Sequence, residues 1–116
     1  MQHSRRKSML ATYFYLTLAI VAEVMATMLL VASVQFTKFW PSVGVMVGYG
    51  LSFYLLSIVV LKLPIAVVYA TWSGVGIAAT TLLGYLIYQQ SLNWQVVLGL
   101  SLVVVGVTLI HGFLLE

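Results

Sequence analysis

One carboxylate, Glu23, stands near the middle of an apolar run that extends from Met9 to Val34. An ionisable group at such a depth in a membrane span is costly, and it marks a functional site by default. The bland alternative is a permanently protonated carboxyl that hydrogen-bonds a neighbouring helix. Removal from water favours the neutral form of a carboxyl, so a group in this setting can hold either a proton or a cation. Leu16, Ala19, Ile20, Ala26, Thr27 and Leu30 lie at helical spacing around it. Ala19, Ala26 and Thr27 are small, which leaves space for a ligand beside the carboxylate.

A second constellation lies further along. Tyr69, Trp72, Ser73 and Gly76 fall at i, i+3, i+4 and i+7, one helical face that combines aromatic rings, a hydroxyl and a flat patch. Aromatic faces attract cations, quaternary ammonium groups among them. Plain helix packing would use the same residue types, but a buried carboxylate in the same short chain favours the cation reading. Gly74 and Gly76 either allow a bend or let another helix approach closely. Tyr49, Ser52 and Phe53 share a face of the preceding apolar segment, and a tyrosine facing the cavity can hydrogen-bond Glu23. Gly99 and Gly106 are seven apart and form a small-residue stripe, expected as an oligomer contact. His111 falls near the edge of the last segment and is read as interfacial.

These residues need elements that hold them in a bilayer. The chain is 63% hydrophobic and only 6% charged over 116 residues. Soluble domains run nearer 45–50% apolar and about 25% charged, so much of this surface must face lipid. Each span takes roughly 20 apolar residues. The sequence predicts an all-α integral membrane bundle: four transmembrane helices near residues 10–34, 41–61, 66–88 and 95–114, in a single transmembrane domain over 1–116. Pro41 suits the first turn of a helix, and Lys62-Leu63-Pro64 breaks the chain between two. Trp40, Tyr88 and Trp94 fall at span ends, where aromatic rings favour the headgroup region. The first span is too long for a signal-peptide core and is expected to be retained. The unbroken apolar run from Val96 to Ile110 lacks the alternation of a barrel strand.

Short loops make consecutive helices antiparallel, so both chain ends and the second loop share one side. That side carries Arg5, Arg6, Lys7 and Lys62, against Lys38 on the other. The bias predicts cytoplasmic termini, and the basic start reads as an anchor at anionic headgroups, not a nucleic-acid surface. Cys and Asp are absent, and neither a metal-ligand cluster nor a phosphate loop occurs. No cofactor, metal or enzymatic activity is expected.

Taken together, three segments resemble the small multidrug resistance family of bacterial proton-coupled exporters. They are Ala22-Glu23-Val24, the stretch Phe36-Thr37-Lys38-Phe39-Trp40-Pro41-Ser42, and Tyr69-Ala70-Thr71-Trp72-Ser73-Gly74-Val75-Gly76-Ile77. The resemblance covers nearly the whole chain, from about Tyr13 to Leu114. It implies a multi-pass protein of the bacterial inner membrane, working as an antiparallel dimer whose two Glu23 carboxylates face one chamber. Protons and a lipophilic cation would compete for them. Tyr69, Trp72 and Tyr49 match the family's substrate contacts, Gly74 and Gly76 its flexible point, and the last helix its dimerisation helix. Ala26 stands where a guanidinium-exporting branch typically has Trp, so the chain looks more like the quaternary-ammonium branch. Val31, Val34, Ser91 and Ala66 depart from common family residues. The lysine and arginine bias suggests, as an alternative to a homodimer, one fixed orientation and a heterodimer with a related chain. Polyamine, guanidinium-like or lipid cargo on the same fold, and a small interaction subunit without transport, are the other readings.

Overall fold

The computed structural model describes residues 2–115, with side chains over 8–112. Its elements are α1 (Gln2–Ala32), α2 (Phe39–Val59), α3 (Ile65–Tyr88) and α4 (Trp94–Leu115). Four stretches are long and apolar enough to cross a membrane: Ser8–Ala32, Phe39–Val59, Ile65–Tyr88 and Trp94–Gly112. At 1.5 Å per residue, helices of this length match a hydrocarbon core about 30 Å thick. Among the described residues there is no strand.

The ends of the helices differ from the expected limits for local reasons. α1 starts earlier, at Gln2, and stops at Ala32. The Ser33 hydroxyl there accepts the Phe36 N–H at 3.1 Å. Val34, Gln35 and Phe36 then take φ of 46°, 62° and 63°, a left-handed run that reverses the chain. α2 begins at Phe39, so Pro41 is its third residue and still lies where no intrahelical N–H bond is lost. Pro64 sits just before α3 in extended geometry. At the start of α4 the Asn93 side chain accepts the Val96 N–H at 2.9 Å, the usual work of an N-cap asparagine. The side chains of Arg5, Arg6, Lys7 and Glu116, which enter the charge count, lie outside the described ones.

α1 packs on α2 and α3, and α4 packs chiefly on α3. The α1–α2 contact depends on small residues. A Cβ on Gly48 would lie 2.7 Å from the Ala26 Cβ and 3.1 Å from the Ala22 carbonyl oxygen. Near one end Leu16, Val59, Leu63 and Val68 form a buried cluster, with Ile20 and Trp72 packed against it. The Tyr88 hydroxyl donates to the Met28 carbonyl at 2.8 Å and ties the far end of α3 to α1. The result is a slab of 51 × 34 × 19 Å, not a closed bundle. α4 has no buried residue along its span, and Gly99 and Gly106 have open space where a Cβ would be.

The two α2 glycines separate packing from propensity. Gly48→Ala should overpack the α1–α2 seam and lower stability by about 1–3 kcal/mol. Gly50→Ala, with nothing within 4 Å of the added carbon, should be neutral or stabilising by up to about 1 kcal/mol. Denaturant unfolding of both variants in detergent, followed by helical circular dichroism, checks this ordering.

Candidate functional site

The Glu23 carboxylate sits between α1 and α3, and its two oxygens have different surroundings. Oε1 accepts a hydrogen bond from the Thr27 hydroxyl, one turn further along α1, at 3.0 Å. The same hydroxyl oxygen lies 2.6 Å from the Tyr49 hydroxyl of α2. Thr27 has a single hydrogen, already given to Glu23, so Tyr49 donates to Thr27. Oε2 is buried and has no hydrogen-bond partner. It occupies space that only a glycine leaves free, since a Cβ on Gly76 would lie 2.7 Å from it. An unpaired buried oxygen of this kind costs free energy, and a proton or a cation relieves that cost.

Beside it opens a cavity of about 350 Å³, lined by Glu23, Thr27, Trp72, Ser73, Ile77, Thr80 and Thr81. Trp72 is the aromatic wall, and it is fixed at both ends. Its indole N–H donates to the Ser52 hydroxyl at 3.2 Å. Ser52 in turn donates to the Ala19 carbonyl at 2.7 Å, so one hydroxyl links α1, α2 and α3. The Trp72 ring lies 5.8 Å from Phe53 and 6.0 Å from Tyr69, centroid to centroid, tilted against both. Tyr69 and Phe53 are largely exposed at this edge of the chain. Among the described residues no group of three His, Cys, Asp or Glu comes together.

Several expected site residues take other places. Leu16 and Ala19 are buried in helix contacts within the chain, and Ser52 has no exposed surface. None of the three lines the cavity, because the α1–α2 seam and the apolar cluster cover them. Ile20 packs against that cluster and lines a different groove. Tyr49 reaches Glu23 through Thr27, not directly. α3 runs unbroken through Gly74 and Gly76. A Cβ on Gly74 would lie 2.7 Å from Val107 Cγ2 and 3.0 Å from Val103 Cγ1, so Gly74 admits α4 just as Gly76 admits Glu23. Ile77, Thr80 and Thr81 went unremarked as site residues in the sequence. Thr80 extends the stripe of Tyr69, Trp72 and Gly76 by one more turn, and that periodicity was the signal for it.

The profile of the Small Multidrug Resistance protein family matches residues 11–103. The chain belongs to this family. Among similar proteins, the quaternary ammonium compound-resistance protein QacE of Escherichia coli is 41% identical over 99 residues, covering 85% of this chain and 90% of its own. The multidrug resistance protein EbrA of Bacillus licheniformis is 41% identical over 103 residues, with 89% and 98% covered. The quaternary ammonium compound-resistance protein QacG of a Staphylococcus species is 36% identical over 101 residues, with 87% and 94% covered. Membership of the Small Multidrug Resistance family makes the chain a drug-efflux transporter and not an enzyme, a multi-pass protein of the bacterial inner membrane with four spanning helices.

Gly76 offers a direct test of the carboxylate's placement. The atom a new methyl would strike is the far end of a flexible side chain, so Gly76→Ala should leave unfolding stability within about 1 kcal/mol of wild type. It should nevertheless displace Oε2 and weaken binding of a probe cation by about tenfold, or about 1.4 kcal/mol. Equilibrium binding of tetraphenylphosphonium beside an unfolding curve reads both effects.

Proposed function

We propose that the chain is a proton-coupled antiporter that exports lipophilic and quaternary ammonium cations, with Glu23 as the site that proton and cargo share. The observation that carries this reading is the half-satisfied carboxylate, with Oε1 held by Thr27 and Oε2 buried without a partner beside an open, aromatic-walled cavity. A proton on the carboxyl removes the charge that a cation needs. A cation against the carboxylate removes the vacancy that a proton fills. Competition of this kind makes the two loads alternate on one group, the elementary requirement of exchange.

The cargo class follows from the walls. Trp72, with Phe53 and Tyr69 beside it, presents a broad aromatic surface, which suits a bulky cation without hydrogen-bond donors. The names of the relatives, two quaternary ammonium compound-resistance proteins and one multidrug resistance protein, agree with it. The working unit in this reading is an antiparallel homodimer. Its support is the open side of the slab and the unburied α4 with its free glycine stripe. A second copy set against that side would close the chamber and bring a second carboxylate to it.

Binding of tetraphenylphosphonium to purified protein should strengthen as pH rises and disappear in Glu23→Gln. Unchanged binding in Glu23→Gln would defeat the shared-site mechanism. Trp72→Leu should weaken binding by about 1–2 kcal/mol, roughly 5- to 30-fold, if the indole face contacts the cation. An effect of that size for planar aromatic cations and none for small alkylammonium ions would place the ring against the cargo's own rings.

A further inference from the structure

On the other side of the α1–α3 contact from the Glu23 cavity lies a larger cavity of about 520 Å³. Successive helix residues turn by roughly 100°, so Val24 and Met25 point well away from the Glu23 direction. The walls are Leu16, Ile20 and Val24 from α1 and Val75, Ala79 and Leu83 from α3. The cavity extends on α1 from Tyr13 to Met25 and on α3 from Thr71 to Leu83. At 1.5 Å per residue each wall is about 18 Å long. It is therefore a track parallel to the helices, about as long as the hydrocarbon of one leaflet is deep.

The chemistry changes at one end only. There the Tyr13 hydroxyl lies 3.0 Å from His111 Nδ1, and the Thr71 hydroxyl lies 2.6 Å from His111 Nε2. Thr71 spends its hydrogen on the Val67 carbonyl at 2.8 Å, so Nε2–H donates to Thr71 and Tyr13 donates to Nδ1. Past this cluster α1 leaves its apolar span at Ser8 and continues through Lys7, Arg6 and Arg5. Arg6 precedes Tyr13 by seven residues, two turns of α1. Three cations in succession complement an anion at headgroup depth. An apolar track below and positive charge above fit one kind of molecule.

We infer that the α1–α3 track binds an anionic phospholipid, with an acyl chain between Val24 and Ala79, the upper end of that chain at the level of Tyr13 and Thr71, and the phosphate at the level of Arg5, Arg6 and Lys7. The site is separate from Glu23 and owes nothing to the cargo. Tyr13, Thr71 and His111 come from α1, α3 and α4, so an occupant at their level touches the point where three helices are joined.

The test is electron spin resonance on the full chain in phosphatidylcholine vesicles carrying trace spin-labelled phosphatidylglycerol or spin-labelled phosphatidylcholine. The wild type should immobilise the phosphatidylglycerol label preferentially. Arg6→Gln should cut that preference by about fivefold, the equivalent of about 1 kcal/mol per basic residue near the surface. Ala79→Phe, which fills the track and leaves every charge in place, should abolish it. Ala79→Leu serves as a second track-filling variant, and helical circular dichroism shows which of the two keeps its fold. A preference that survives track filling and falls only with Arg6→Gln would reduce the effect to surface attraction and overturn the site. Equal immobilisation of both labels by wild type would overturn it as well. So would an unchanged preference with a loss of cross-linked dimer in the track-filling variants, which would assign the face to a second copy.

Discussion

A carboxyl group buried between two helices has to be provided for on every side, and the packing around Glu23 follows from that. Thr27 supplies the one donor to Oε1. Gly76 gives up its side chain so that Oε2 fits. In lipid the alternative to such provision is an exposed charge in hydrocarbon, which few sequences tolerate. α3 must therefore lie where its glycine faces Glu23, and this fixes its rotation about its own axis. With that rotation set, Trp72 falls on the cavity wall and Gly74 faces α4. Gly74 and Gly76 thus each decide where a different partner can sit.

The second constraint is that the hydroxyls serve to join helices. Ser52 ties α2 to an α1 carbonyl and at the same time holds the Trp72 indole. His111 joins α1, α3 and α4 through Tyr13 and Thr71. Interhelical hydrogen bonds of this kind contribute modestly in membranes, on the order of 0.6 kcal/mol each. Their larger effect is geometric. They fix the faces that the small residues at Ala22, Ala26 and Gly48 bring together, and through His111 they attach α4 to the other helices at one end.

Much of this was legible in the sequence. The four spans follow from apolar length, which a bilayer makes obligatory, and the helix limits were off mainly where a local device intervened. The left-handed turn at Val34–Phe36 is such a device, since none of its residues is a glycine to announce it. Glu23, Trp72 and Thr27 were legible because a polar or aromatic residue in hydrocarbon needs a reason. Leu16, Ala19 and Ser52 were not, because helical spacing says which residues share a face but not which neighbour covers that face. Thr27 as the go-between for Tyr49 needed coordinates, as did the difference between the two oxygens of Glu23. His111 looked interfacial in the sequence, and its clasp on three helices becomes visible only when residues far apart in the chain are brought together.

The hydroxyl chain from Tyr49 through Thr27 to Glu23 has a polarity. While the carboxyl is ionised, each hydrogen points toward it. Should the oxygen facing Thr27 take up a proton, that oxygen becomes the donor, and the Thr27 hydroxyl must turn its own hydrogen away, while its two lone pairs accept from the carboxyl and from Tyr49. The charge on Glu23 is thereby written into the orientation of a hydroxyl one turn along α1, with no shift of the backbone. The hydroxyl that turns is the one bonded to Tyr49, so the change falls at the contact between α1 and α2.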